Sequence, residues 1–184
     1  MSEAASSSRR HHAEPSLDLA PGTQAIVDKP PMATAITRLP SEALSNLLVV
    51  AVGRDPSTIE TAVEDAGGDP SNVGVVPVSA TPVDTDARVW QTPRVGPSDL
   101  TGVSIGVARG MRHVQPGEGW LLVDDLGVLL MYAEDSRVSQ LLATVSGKCR
   151  TRRVKGVYAL SRAAVGAGRY AQFRELFDAE VGLE

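Results

Sequence analysis

Continuous apolar runs alternate along this chain with segments in which apolar residues recur every three or four positions. A run without polar positions is typical of a parallel strand that is covered on both faces. Strands of this kind alternating with helices predict βαβ units with right-handed crossovers. The pattern therefore predicts an α/β fold of three layers, a mainly parallel sheet with helices on both faces. The predicted strands are residues 23–27, 47–52, 73–78, 120–123 and 155–160, with a short edge strand over residues 181–183.

Helix starts are marked by residues that cap the free N–H groups of a first turn. Asp55 precedes Pro56, which suits the first helical position because that position needs no N–H donor. Asp99 precedes apolar residues at helical spacing that continue to Val114. Further helices are predicted over residues 126–132, from Ser136 to Cys149, and over residues 170–177.

Glycines repeat at a spacing of four in the helix that follows Asp99. Gly102, Gly106 and Gly110 fall on one face of that helix, where small residues let a neighbour approach closely. This glycine face is a candidate surface for self-association.

The strand over residues 73–78 contains Pro77, which cannot donate a hydrogen bond to a neighbouring strand. We therefore expect this strand at an edge of the sheet, or ending there. Its end near Val78 is a second candidate surface for self-association. Residues 79–97 show no clear period and predict a long loop, which Trp90 pins to the body of the domain.

The composition narrows the class of protein. The 184 residues suffice for one domain, and 42% of them are apolar. No apolar run approaches the roughly 18 residues of a membrane span, and the N-terminal residues lack the apolar core of a secretory signal. We expect a cytoplasmic protein with a disordered tail over residues 1–21 and one domain over residues 22–184. The net charge of −4 gives no general attraction to nucleic acid.

An acidic strand end is the first candidate for chemistry. The apolar run Leu121–Val123 ends on Asp124 and Asp125, much as a strand presents the Mg²⁺-binding carboxylate in P-loop ATPases. The chain nevertheless contains no G-x-x-x-x-G-K-[S/T] sequence, the loop whose backbone N–H groups hold phosphate. The acidic strand end therefore indicates a fold more than an activity.

The order of several segments resembles the RecA/KaiC-like domain, and more narrowly the reduced KaiC-like (HTR-like) proteins of haloarchaea that lack a P-loop. The resemblance spans residues 22–184. It implies a RecA-like (P-loop NTPase-like) core, self-association and no established catalytic activity. The segments that carry it are residues 26–32, 47–56, 73–78, 99–103 and 122–132.

Residues 28–31, with the sequence D-K-P-P, stand where the resemblance implies a phosphate-binding loop. Prolines have no N–H to offer and Asp28 would repel phosphate, so Lys29 alone cannot replace that loop. Without phosphates, one or two carboxylates make a poor Mg²⁺ site. Lys29, Asp124 and Asp125 are the candidates for a nucleotide or other ligand site. The structural alternative is that one of the aspartates caps the following helix.

Five cations fall within eight residues near the end of a predicted helix. Cations are favoured there by the helix dipole, which needs no partner to explain them. The alternative is an anionic partner such as nucleic acid or an acidic neighbouring subunit, although no aromatic residues are interleaved for base stacking. The cations are Lys148, Arg150, Arg152, Arg153 and Lys155. Cys149, in the same run, lies on the apolar side of its helix and is expected to be packed, not catalytic.

These observations predict a non-catalytic regulatory or scaffolding protein that acts through contacts with a protein partner or with itself. No cofactor, metal or membrane association is expected, and nucleic acid is not favoured. Two alternatives remain: a residual nucleotide- or small-molecule-binding enzyme that uses Asp124 and Asp125, and a DNA-associated accessory protein that uses the cations. The enzyme alternative requires an open polar pocket at the strand ends. Filling of that space by Pro30, Pro31 and apolar side chains would oppose it.

Overall fold

Seven parallel strands form one sheet in the computed structural model, which describes residues 17–182. Their order across the sheet is β4-β3-β2-β5-β6-β1-β7, and every neighbouring pair is parallel. The strands are β1 (Gln24–Asp28), β2 (Leu47–Val52), β3 (Val73–Val78), β4 (Trp90–Gln91), β5 (Trp120–Asp124), β6 (Lys155–Leu160) and β7 (Ala179–Val181).

Helices connect these strands, and the first four begin within one residue of the predicted starts. The last helix begins at Ala167 instead of residue 170, and the sequence does not predict the short helix at Arg162. Pro56 occupies the first position of its helix, although the side chain of Asp55 makes no capping hydrogen bond. Asp99 does cap the next helix, by accepting from the N–H of Gly102 at 2.9 Å. The helices are α1 (Pro56–Asp65), α2 (Leu100–Gly110), α3 (Leu126–Tyr132), α4 (Asp135–Arg152), α5 (Arg162–Val165) and α6 (Ala167–Arg174), with 3₁₀ turns at Ala35–Arg38, Ser41–Ser45, Pro70–Asn72 and Met111–His113. None of the helices within residues 17–182 has both the length and the apolar character of a membrane-spanning helix.

Apolar side chains cover both faces of the sheet, and this burial produces the three layers. One face packs against α2, α4 and α6, whose buried residues include Val107, Leu142 and Phe173. The other face packs against α1 and the first 3₁₀ turn, through residues such as Ile59 and Ile36. All six residues of β2 are buried, which explains why its sequence has no polar position. The predicted three-layer α/β architecture is confirmed.

The ordered chain begins earlier than the sequence predicts. Leu17 and Leu19 are 4% and 7% exposed and belong to the apolar core on the α1 face of the sheet. The predicted disordered tail over residues 1–21 is therefore wrong for the part that carries these two leucines, and residues 1–16 lie outside the described residues. Two leucines separated by one aspartate show no period, and the residues that bury them are distant in sequence.

The segment after β3 is more ordered than the predicted long loop. It contains β4, which pairs with Gly74 and Val75 of β3. β3 is therefore the second strand from the edge, and Pro77 lies past the end of its pairing with β4, where a missing N–H breaks no ladder. Val78 forms a bridge with Val95. This chain segment covers the strand end that the sequence offers as a surface for self-association, so that expectation is wrong.

The glycines of α2 face the sheet of the same molecule. A Cβ added at Gly106 would lie 2.7 Å from Val76, and one added at Gly110 would lie 2.6 Å from Leu48. At Gly102 it would meet the side chain that caps α2, at 2.4 Å. The close neighbour that the glycine spacing predicts is therefore β2 and β3, and the glycine face is not available for self-association.

Candidate functional site

The carboxyl ends of β1, β2 and β5 lie at one edge of the sheet, which is where open α/β sheets bind their ligands. β6 separates β1 from β5, yet the chain that leaves β1 reaches the end of β5 through contacts of its own. We call this region the strand-end crevice. Its polar side chains are Lys29, Thr34, Arg54, Asp124 and Asp125.

Asp124 is fully buried, and both of its carboxylate oxygens are engaged by the chain that follows β1. Oδ2 accepts a hydrogen bond from the hydroxyl of Thr34 at 2.8 Å. Oδ1 accepts one from the backbone N–H of Ala35 at 3.2 Å. These partners replace the solvation that a buried carboxylate loses. Asp124 therefore holds residues 34–35 down on the sheet, and it does not cap α3.

Arg54 supplies the positive charge that accompanies Asp124. Its Nε lies 3.2 Å from Asp124 Oδ2, without the angle of a hydrogen bond. Its Nη2 donates to the carbonyl oxygens of Met32 and Ala33, at 3.0 and 2.8 Å. Arg54 thus ties the loop after β1 to the end of β2. Nothing in the sequence pattern singles this residue out except its place just beyond an apolar strand.

Lys29 and Asp125 form the second ion pair of the crevice. Lys29 Nζ lies 3.1 Å from Asp125 Oδ2, with the two side chains 2% and 16% exposed. Asp125 Oδ1 also accepts from the N–H of Gly127 at 3.0 Å and caps α3, from a left-handed backbone with φ of 91°. The predicted capping role is confirmed for Asp125. The structure brings these two predicted ligand residues together as an ion pair.

The residues present do not fit Mg²⁺ and a nucleoside triphosphate, the pair that a RecA-like core implies. Both oxygens of Asp124 already have partners within the chain, and the cation of Lys29 is neutralised by Asp125. Pro30 and Pro31 offer no N–H groups to phosphate oxygens. Nor do the described residues bring three or more His, Cys, Asp or Glu side chains into a group that could hold a metal ion.

A cavity of about 240 Å³ adjoins the crevice, with walls that are mostly apolar. Its polar side chains have partners within the chain: Asp125 pairs with Lys29, Arg169 with Asp135 at 2.6 Å, and Ser161 Oγ accepts from the N–H of Ala164 at 3.3 Å. The hydrogen bond from Arg169 holds the pKa of the Asp135 carboxyl below its usual value. The open polar pocket that the enzyme alternative requires is therefore not found at this position. The prolines do not fill the space either, because Pro30 and Pro31 are exposed and the ion pairs close the crevice instead.

A model of the family of unknown function DUF7504 matches residues 26–183. The chain belongs to this family. No curated protein matches the DUF7504 chain.

Two solved structures from Pyrococcus horikoshii OT3 are similar to the DUF7504 chain. The KaiC-like protein PH0186 has a TM-score of 0.60 and 10% identity, with 89% of this chain and 74% of that chain covered. The protein PH0250 has a TM-score of 0.58 and 13% identity, with 90% of this chain and 84% of that chain covered. At such identities the likeness shows the fold alone. The fold is RecA-like, as the order of the segments predicts, while the narrower likeness to haloarchaeal proteins stays a prediction.

The five cations of the basic run do not form one surface in the DUF7504 chain. Arg150 pairs with Asp178 at 3.2 Å, and Lys155 pairs with Glu42 at 3.6 Å. Arg153 occupies the left-handed position that ends α4, with φ of 56°. Acidic partners thus offset two of the five cations, and the use of this run by an anionic partner stays a prediction. Lys148 and Arg152 lie together beside α2, where they line a separate groove.

Cys149 is fully buried under the sheet-facing side of α4. Burial raises the pKa of its thiol to about 11, so almost none of it is thiolate at neutral pH. The thiol therefore packs as an apolar group, as the sequence predicts.

Proposed function

We propose that this DUF7504 protein is a non-catalytic regulatory or scaffolding module that acts in the cytoplasm through protein contacts. The observation that carries the proposal is the internal neutralisation of the strand-end crevice. Asp124 and Asp125, the two carboxylates at the end of β5, are committed to the chain's own N–H, hydroxyl and cationic groups. A RecA-like sheet whose ligand edge is occupied in this way keeps its shape and loses the means to bind phosphate.

Large apolar side chains are exposed beside the closed crevice. Met32 is 85% exposed, Met131 is 79% exposed and Tyr132 is 49% exposed. Met32 and Met131 also line the adjoining cavity. Apolar side chains grouped at a surface favour a protein contact, because burying them removes apolar area from water. We call these three residues the strand-end patch.

The backbone at Met32 adds support for a contact role. Met32 has a φ of 67°, a left-handed conformation that costs a residue with a side chain about 1–2 kcal/mol. Arg54 holds the neighbouring carbonyl groups in place. The fold leaves Met32 85% exposed and so offers little packing in return for this strain, whereas a partner that contacts the side chain would.

A phosphate-release assay tests the non-catalytic half of the proposal. Incubation with Mg²⁺ and ATP should release phosphate no faster than a buffer control. The variant Asp125→Asn should match the wild type. Release well above the buffer rate that disappears in Asp125→Asn would overturn the proposal, because it would mean that the carboxylate takes part in hydrolysis.

Photo-crosslinking tests the contact half. A photoreactive amino acid placed at position 131 should give a discrete adduct, either of twice the chain's mass or with a partner protein. Position 105 is the matched control, since Ile105 is 50% exposed and lies on α2. We expect no discrete adduct there. Equal adducts at both positions, or none at position 131, would contradict a contact through the strand-end patch.

A further inference from the structure

A second cavity lies between α2 and α4, apart from the crevice and from the strand-end patch. It has a volume of about 470 Å³ and its lining includes Met111, Arg112, Gly147, Lys148, Thr151 and Arg152. We call it the α2–α4 groove. Its volume falls within the roughly 300–1,000 Å³ that small-molecule sites occupy.

The charge of this groove is positive and unbalanced. Three of its lining side chains are cations, and no acidic side chain lines it. Within residues 17–182, neither Arg112 nor Lys148 has a carboxylate within ion-pair distance, whereas the nearby Arg150 and Lys155 both do. Arg152 lies in the last turn of α4 and Arg112 follows the end of α2, so two helix dipoles favour cations at this position, and no carboxylate offsets them.

Arg152 is already positioned for a ligand in this groove. One of its terminal nitrogens donates to the carbonyl oxygen of Val114 at 2.8 Å, which fixes the guanidinium. Its Nε is buried and has no acceptor among the described residues. Because this Nε is closed to solvent, Arg152 contributes a fixed positive charge to the groove and not a free donor at Nε.

The groove also has an apolar floor. Met111 is 3% exposed at its base, and Ala108 adds to the lining. Gly147 leaves open space on the α4 side, where an added Cβ would meet nothing within 4 Å. A ligand in this groove can therefore place an apolar body against Met111 while its charged end meets the cations.

We propose that the α2–α4 groove binds a small organic phosphate ester. The phosphate accepts hydrogen bonds from Arg112 and Lys148 beside the fixed charge of Arg152, and the apolar part of the ester lies on Met111. Charge-assisted hydrogen bonds of this kind are the strong ones. A nucleic acid fits less well, because Arg150 and Lys155, which would extend the surface along a backbone, are neutralised by acids.

A backbone-amide NMR titration with phenyl phosphate tests this assignment. We expect saturable shifts at residues 111–112 and 147–152 of the full chain, and binding of inorganic phosphate that is several-fold weaker because it lacks the apolar body. The double variant Arg112→Ala, Lys148→Ala should weaken phenyl phosphate binding about tenfold or more. Arg152 is left in place since it also holds Val114.

The matched control is Arg94→Ala, Arg137→Ala, which removes the same charge from outside the groove and should change the affinity less than about twofold. Equal thermal unfolding temperatures for the wild type and both double variants would show that all three are folded. The absence of saturable shifts, equal weakening in both variants, or binding of a DNA duplex without binding of phenyl phosphate would overturn the proposal. Shifts at residues 29–35 and 124–127 would instead contradict the closed crevice, so the two proposals fail separately.

Discussion

The strand-end crevice and the α2–α4 groove both contain cations, but they use them in opposite ways. In the crevice, Lys29 faces Asp125 and Arg54 faces Asp124, and each charge is neutralised inside the chain. In the groove, Arg112 and Lys148 have no acidic partner among the described residues. The position that a RecA-like fold reserves for a ligand is thus occupied by the protein's own ion pairs. The separate groove between two helices carries positive charge that no acidic side chain in its lining neutralises. Proximity to the usual ligand edge is therefore a weaker guide to binding than the balance of charge around each side chain.

Among the substitutions that test this contrast, the loss of Asp124 should lower the free energy of unfolding the most. Asp124→Ala leaves Arg54 without its counter-charge and removes the acceptor for Thr34 and Ala35. We expect the free energy of unfolding in urea to fall by about 3–5 kcal/mol, as when one partner of a buried ion pair is removed. The exposed Asp65→Ala is the control and should change it by less than about 0.5 kcal/mol. A similar small change in both variants would mean that the crevice is not held by its ions.

The second ion pair should show coupling. Lys29→Met leaves the carboxylate of Asp125 with only the cap of α3 and is expected to cost about 2–3 kcal/mol. Adding Asp125→Asn, which keeps an acceptor for the N–H of Gly127, removes the unpaired charge. The double variant should therefore cost at least about 1 kcal/mol less than the sum of the single variants. Simple additivity would contradict a direct pair between the two residues.

A glycine on each of the two helices that flank the groove should respond to substitution by alanine with an opposite sign. Gly106→Ala drives a Cβ against the branched side chain of Val76 on β3, and overpacking of about 1–3 kcal/mol should outweigh the gain in helix propensity. Gly147→Ala meets nothing within 4 Å and should raise the free energy of unfolding by up to about 1 kcal/mol. If both substitutions stabilise the protein, α2 does not press on the sheet as described.

The smallest effect concerns Asp135 and Arg169 at the margin of the crevice cavity. Their hydrogen bond lowers the folded-state pKa of Asp135, so its stabilising contribution is present above the unfolded pKa of about 3.9 and is lost as the pH falls through the lower folded value. Because the side chains are 40% and 38% exposed, Asp135→Asn should cost only about 0.2–1 kcal/mol at pH 7. Urea unfolding at pH 7 and at pH 2 checks the sign. A difference between variant and wild type that grows at pH 2 would contradict it.

Much of the fold follows from local sequence features. β2 and β3 are apolar at every position because both faces of the sheet are covered, and such runs are readable without a structure. Asp125 caps α3 because it stands between a strand and a helix, which is also a local pattern. The sequence pattern does not predict the strand β4, because its two residues are too few to show a period.

The chemistry of both sites depends on neighbours that sequence order does not give. Arg54 meets Asp124 because β2 lies beside β5 with Ala51 opposite Asp124, although the two strands are far apart in the chain. Arg112 and Lys148 share a groove only because α2 packs against α4. The sequence identifies Lys29, Asp124 and Asp125 as candidates by residue type. Beyond the helix cap that it offers for one of the aspartates, it could not show that Lys29 pairs with Asp125 or that Asp124 holds Thr34 and Ala35.

A residue-resolved titration with Mg²⁺ and ATP, followed through the backbone amides, tests the closed crevice most directly because it separates that site from the α2–α4 groove. Up to about 1 mM nucleotide, the upper range of ordinary metabolite affinities, the amides of residues 29–35 and 124–127 should not shift. Any shifts should be confined to residues 111–112 and 147–152. Saturable shifts at residues 29–35 and 124–127 with micromolar affinity would contradict the account.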